Sequence, residues 1–222
     1  TNGLTIAAIP VREEVCDAMI SSVKVSSIND LPQNAKIGTS SLRRIAQLKH
    51  LRADFNCQPL RGNVETRIKK VQSGEYDAII IAQAGINRLG MADEITEILD
   101  PQVFVPAPGQ GALAVQARTS DSELIELLSK IDDQNARITS YFERLILSKL
   151  HGGCSIPLGV HSAVDGGKLN YTAVIANTDA SKYVKKTGCI SLGEIEAKSE
   201  ALAKDLLESG GKTVLEELRE NS

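Results

Sequence analysis

The pattern of apolar and polar positions changes character twice along the chain. Leu4–Ile9 and Asp17–Ser21 are short, nearly continuous apolar runs, as expected of buried strands. A polar stretch with Pro32 follows, and Lys36–Gly38 then predicts a short strand. Leu42–Leu51 places Ile45, Leu48 and Leu51 on one helical face, with Ser40 or Ser41 as its N-cap. Phe55–Leu60 predicts the next strand, Val64–Gln72 a helix capped by Asn63, and Tyr76–Ala82 a strand covered on both faces. Strand, helix, strand, helix, strand implies a parallel sheet with crossover helices.

Beyond it, Gln83–Leu89 predicts a helix, and Pro106–Gly111 breaks the pattern with two prolines and two glycines. Ala112–Arg118 predicts a strand, Ser122–Lys130 a helix and Asn135–Leu150 a long amphipathic helix. The period then becomes that of consecutive strands, Leu158–Val164, Leu169–Asn177 and Tyr183–Ser191, followed by helices Ile195–Glu208 and Lys212–Arg219. Three strands and then helices imply a small α+β domain with an antiparallel sheet, beginning near Asp132–Asn135.

Charge adds a location. The 222 residues carry a net charge of −3, yet Lys36–Lys70 holds nine basic residues against two acidic ones, a local +7. That contrast points to an anionic ligand. Two strand-to-helix turns lie in this stretch. Helix N-termini attract anions, and ligands of open α/β sheets sit at the C-terminal ends of parallel strands. Thr39-Ser40-Ser41 offers hydroxyls at the first turn, with Arg43 and Arg44 one turn into the helix; Arg61-Gly62-Asn63 forms the second, with Arg67 following. Arginine suits planar carboxylates, although phosphate satisfies the same donors. Neither turn matches a P-loop or a dinucleotide fingerprint.

The four cysteines, Cys16, Cys57, Cys154 and Cys189, are far apart, and the three histidines form no ligand set with them, so no metal site is expected. Aromatic residues make up 3% of the chain with no Trp, which argues against a nucleic-acid stacking platform. No apolar run is long enough to span a bilayer, and Thr1-Asn2-Gly3 does not read as a signal peptide. Reduced thiols and a cytoplasmic location are the expectation. Cys154 stands in His151-Gly152-Gly153-Cys154-Ser155-Ile156-Pro157, where two glycines permit close approach of another group. By itself this loop reads more readily as a small buried thiol beside a helix end than as a functional one.

GTSSLRR (Gly38–Arg44), PLRGNVETR (Pro59–Arg67), AGINRLG (Ala84–Gly90), PAPGQGALA (Pro106–Ala114) and the Gly-Gly-Cys loop within HGGCSIPLG (His151–Gly159), in this order, resemble the porphobilinogen deaminase (hydroxymethylbilane synthase) family. The resemblance implies bilobed, periplasmic-binding-protein-like α/β domains and a small C-terminal α+β domain with a three-stranded antiparallel sheet. It divides the chain into parts of a first α/β domain at 1–15 and 107–132, a central α/β domain at 16–106 and a C-terminal domain at 133–222.

It further implies a transferase of tetrapyrrole and haem biosynthesis that condenses porphobilinogen stepwise into hydroxymethylbilane. A dipyrromethane cofactor would be attached through Cys154, and each incoming unit would lose ammonia before the primer's free α-carbon attacks it. Thr39, Ser41, Arg43, Arg44, Arg61, Gly62, Arg67 and Arg88 would hold cofactor and substrate carboxylates, Arg43 and Arg44 chiefly those of the cofactor. The family's catalytic aspartate lies in a Lys-Asp motif upstream of the segment matching Leu4–Ile9, so the expectation is that no catalytic residue lies in Thr1–Ser222 and that the first domain is incomplete. Asp17 and Asp77 are not substitutes for it. The full-length family implies a monomer; a chain beginning here is expected to pair its uncovered strands with other copies. A non-enzymatic α/β module binding a small polycarboxylate is the alternative.

Overall fold

The computed structural model describes residues 2–150 and 156–220. A five-stranded sheet forms its centre: β2 (Asp17–Ser21), β3 (Lys36–Gly38), β4 (Asn56–Gln58), β5 (Ala78–Ala82) and β6 (Glu97–Ile98), after β1 (Leu4–Ala8). The spatial order is β4-β3-β5-β2-β6. The expected parallel sheet is present as β4, β3 and β5, while β2 runs antiparallel to β5 and β6 antiparallel to β2. The sheet is therefore mixed.

Helix α1 (Leu42–Leu51) joins β3 to β4, and α2 (Val64–Gln72) joins β4 to β5. The first crossover moves outward across the sheet and the second moves back past β3. Crossovers of one hand then put the two helices on opposite faces. The apolar contacts follow this division. Met19, Ile37, Ala78 and Ile80 pack with Leu48 and Phe55 on one face; Ala18, Ile20, Ile79 and Ile81 pack with Ile68 and Val71 on the other. Alternate residues of β2 and β5 thus feed two cores, which explains their unbroken apolar runs.

Ser41 caps α1, its hydroxyl accepting the Arg44 N–H, and Asn63 caps α2 by accepting the Thr66 N–H. Helix α3 (Gln83–Arg88) continues directly from β5. Strand β7 (Val115–Arg118) pairs antiparallel with β1 to form a separate two-stranded ribbon, beside α4 (Ser122–Ser129). Leu4 and Ile6 on this ribbon are 38% and 36% exposed.

Helix α5 (Gln134–Lys149), capped by Asp133, leads into the C-terminal layer. Strands β8 (Leu158–Asp165), β9 (Lys168–Ala176) and β10 (Tyr183–Ser191) form the expected antiparallel sheet, in the order β10-β9-β8. Phe142, Ile146, Leu158, Val160, Leu169, Ile175, Leu202, Leu206 and Val214 make its core against α5, α6 (Ile195–Leu206) and α7 (Lys212–Glu220). The helix expected to run to Glu208 ends two residues earlier. A wide turn follows through Leu207–Gly211, with Gly210 at φ 127°, a backbone conformation that favours glycine.

Two segments without regular secondary structure, around residues 9–16 and 105–111, connect these units. They are tied together by Glu13 N–H to Gly111 O at 3.2 Å and by Arg12 Nε to Gln110 O at 2.9 Å.

Candidate functional site

The parallel strands β3 and β4 end side by side, so the turns that follow them meet at one sheet edge. The Thr39 N–H donates to Gln58 O at 2.9 Å. The Ser40 hydroxyl donates to Leu60 O at 2.9 Å and accepts the Leu60 N–H at 3.0 Å. These bonds hold the N-termini of α1 and α2 next to each other, which concentrates their unpaired N–H groups and partial positive charge. Thr39 is buried, and its Oγ1 accepts the Ser41 N–H.

Arg43 and Arg44 point from the first turn of α1 toward the beginning of β2. Asp17 lies there, wholly buried. Its Oδ2 accepts from Arg43 Nη1 at 2.7 Å. Its Oδ1 accepts from Arg44 Nε at 3.1 Å and Nη2 at 2.7 Å. Burial would raise the Asp17 carboxyl, but the two guanidinium charges and their hydrogen bonds overcome it and hold the group below the usual carboxylate range. Burial depresses the Arg43 guanidinium, Asp17 opposing the effect and Arg44 adding to it. Gln110 braces the cluster from the connecting segment. Its Nε2 donates to Val15 O and to Asp17 Oδ1, and its Oε1 accepts from Arg43 Nη2. Arg43 Nη1 also donates to Val105 O, and Arg44 Nη1 to Ile80 O.

Arg67 has a different setting. Its Nε donates to Gly62 O at 2.8 Å, and among the described residues it has no carboxylate partner. Partial burial and the nearby charge of Arg44 both lower its pKa. Two arginines that repel each other, one without a counter-ion, make a site suited to an added anion. Gly62 forms the turn at φ 118°, where a Cβ would come within 2.8 Å of Thr66 Cγ2. Arg61 is exposed at that turn and Arg88 is exposed in the last turn of α3, and neither has an ion-pair partner among the described residues.

Thr39, Ser41, Arg43, Arg44, Gly62 and Arg67 therefore share one edge, whereas Arg88 takes part in none of its hydrogen bonds. Cys154 lies outside the described residues, as does the rest of 151–155. Asp17 and Gln110 are the members of this cluster that residue patterns did not assign to it. The available signal was a lone acid opening an otherwise apolar strand. Asp77 accepts the Lys36 N–H through its side chain, at the opposite end of the strands. No metal-binding group of His, Cys, Asp and Glu occurs among the described residues. No described helix is long and apolar enough to cross a membrane.

Comparison with known proteins decides the family. Residues 1–126 match the model "Porphobilinogen deaminase, dipyromethane cofactor binding domain", and residues 137–218 match "Porphobilinogen deaminase, C-terminal domain". The chain belongs to the porphobilinogen deaminase family. It is 42% identical over 207 residues to the porphobilinogen deaminase of Corynebacterium diphtheriae, covering 93% of this chain and 70% of that one. It is 40% identical over 221 residues to that of Chlorobium phaeovibrioides, covering 98% and 70%. Among solved structures, a YaeC-family lipoprotein from Enterococcus faecalis overlaps 64% of this chain and 66% of its own, at 18% identity and a TM-score of 0.39, too loose an overlap to bear on function.

The cofactor-binding model of the family spans the arginine cluster. The residues fit a dipyrromethane, which carries several carboxylates: unpaired guanidinium groups, two adjoining helix N-termini and turn hydroxyls meet at one edge. A groove of about 740 Å³ lies elsewhere, between β1, the Pro108–Ala114 segment and α5, and contains none of the site arginines.

Proposed function

We propose that this sheet edge binds the acetate and propionate carboxylates of a dipyrromethane and of incoming porphobilinogen, and that the chain serves the stepwise condensation of porphobilinogen into hydroxymethylbilane. The observation that carries the reading is Arg67, partly buried, repelled by Arg44 and without a carboxylate partner among the described residues. A ligand carboxylate between them supplies the missing counter-charge.

The dipyrromethane, when bound, supplies a covalent primer whose free α-carbon is the nucleophile. Cys154 is the residue we assign to its attachment. Arg44, Arg61 and Arg67 bind carboxylates, Thr39 and Ser41 shape the turn that receives them, Gly62 lets the second turn close, and Arg43 anchors the cluster to Val105. Arg88 is assigned to the substrate side because it stands apart from the Asp17 cluster. Holding ligand and primer by several carboxylates each fixes their approach and removes the entropy cost of encounter from the reaction step.

Neither Asp17 nor Asp77 is assigned as the catalytic acid. Asp17 is engaged by two arginines and Gln110, and Asp77 by the Lys36 backbone. We place the family's catalytic aspartate at no residue of Thr1–Ser222. The division into 1–15 with 107–132, 16–106 and 133–222, the cytoplasmic location and pairing of copies through the β1–β7 ribbon belong to the same proposal.

Intact mass of the purified chain is the direct test. An adduct of dipyrromethane mass that disappears in Cys154→Ser and survives Cys189→Ser supports the assignment. An adduct retained in Cys154→Ser overturns it. Turnover of porphobilinogen by the 222-residue chain alone would show that the catalytic acid lies within it.

A further inference from the structure

An acid lies at the centre of a site read as binding polycarboxylates. Asp17 lowers the formal charge of the Arg43–Arg44–Asp17 trio to +1 and repels every carboxylate brought near it. It is also fully buried, so its presence is not a matter of solubility.

The hydrogen bonds suggest what it does. Asp17 Oδ1 takes Nε and Nη2 of Arg44, which lie along one edge of the guanidinium plane. Ile80 O takes one further donor, from Nη1. Of the five N–H groups of an arginine, one on Nη1 and one on Nη2 then have no partner among the described residues. Asp17 Oδ2 fixes Arg43 from the other side, and Gln110 ties Asp17 to Arg43 through its amide. Without Asp17, two adjacent like charges would splay apart, and each long side chain would have to be ordered by the ligand itself.

We propose that Asp17 is a positioning residue for carboxylate recognition, holding the guanidinium plane of Arg44, with the buried Arg43 as its buttress, so that the remaining Arg44 donors are preset for the ligand. The proposal rests on the reading of this edge as the carboxylate site. Its gain is preorganisation, and that gain must exceed the repulsion Asp17 exerts on the ligand.

Charge alone and positioning predict opposite signs. If charge alone mattered, Asp17→Asn would raise the trio to +2 and tighten binding. Positioning requires Asp17→Asn to weaken it, by about tenfold or more, the scale of losing one charge-assisted hydrogen bond. Asp17→Glu keeps the charge but moves it by one methylene, and it should weaken binding similarly. Gln110→Met removes a brace without changing any charge and should weaken binding by about threefold to tenfold.

The experiment is calorimetric titration of the chain and its variants with porphobilinogen at low and high salt, with dipyrromethane occupancy read by intact mass. Circular dichroism melts identify variants that do not fold; if neither Asp17 variant folds, Gln110→Met carries the test. Weakened binding in folded variants, with the salt dependence retained, supports the proposal. Asp17→Asn binding as tightly as the parent or more tightly, or unchanged binding by Gln110→Met where that variant carries the test, overturns it while leaving the site reading intact. An unmodified chain that binds neither porphobilinogen nor cofactor overturns both.

Discussion

The guanidinium of Arg12 grips the carboxylate of Glu143 with two parallel hydrogen bonds of 2.9 and 2.8 Å, across 131 positions of sequence. Glu143 is wholly buried. It also accepts from the Gly109 N–H, the Ser162 N–H and the Ser162 hydroxyl. One carboxylate thus ties both connecting segments to α5 and β8. Removing one partner of such a pair strands the other and costs about 3–5 kcal/mol, whereas replacing both by apolar groups is often nearly neutral. Glu143→Ala should therefore lower the urea midpoint sharply, and the double variant Arg12→Met with Glu143→Met should recover most of the loss. A double variant as unstable as Glu143→Ala would show that the backbone donors of Gly109 and Ser162 dominate.

Arg67→Ala should weaken ligand binding with little effect on folding. The side chain makes one hydrogen bond, to Gly62 O, and no ion pair among the described residues. Loss of a hydrogen bond between Arg67 and a ligand carboxylate costs about 1.5–3 kcal/mol, whereas in folding the lost bond to Gly62 O is offset by relief of the repulsion from Arg44. Calorimetry with porphobilinogen and a thermal melt together check this. Unchanged affinity at low salt would remove Arg67 from the site.

Gly111→Ala should destabilise the connection between the two segments. Gly111 has φ +81°, and an added Cβ would lie 2.6 Å from Glu13 O, a backbone atom that cannot swing away. Both strain and clash act in the same direction, so the loss should exceed about 1 kcal/mol. Gly109→Ala is the comparison: its φ is +74° but nothing lies within 4 Å of the added atom. Equal losses for the two in denaturant melts would mean that conformation alone sets the cost.

His161 should make stability fall in mild acid. Burial pushes its imidazole below the ordinary range, opposed by Glu143 and Asp100 and reinforced by Arg12, and Nδ1 has no partner among the described residues. A base whose pKa is depressed on folding binds protons better when unfolded. Its contribution is present above the unfolded value of about 6.5 and is lost as pH falls through the folded one. Urea midpoints at neutral pH and near pH 5 should therefore differ more in the parent than in His161→Gln. Parallel pH dependence in the two proteins would exclude the histidine as the cause.

Much of this molecule is determined within short windows. Ser41 and Asn63 cap their helices through side chains three residues from the N–H they accept, so the starts of α1 and α2 are local facts. The turns rich in arginine are local too, and their place at the ends of parallel strands follows from the alternation of elements. The motifs that identify the family are likewise contiguous.

Tertiary structure decided what depends on distant partners. The antiparallel entry of β2 follows from its pairing with β5 and β6, far along the chain. Asp17 meets Arg43 and Arg44 across 26 and 27 positions, and Gln110 reaches the same carboxylate across 93. In the sequence, Asp17 is one acid at the head of an apolar strand and Gln110 one amide in a Pro-Gly segment. Burial gives them meaning: a charge removed from water must find its counter-charge wherever the fold brings one within reach, and sequence spacing does not encode that distance.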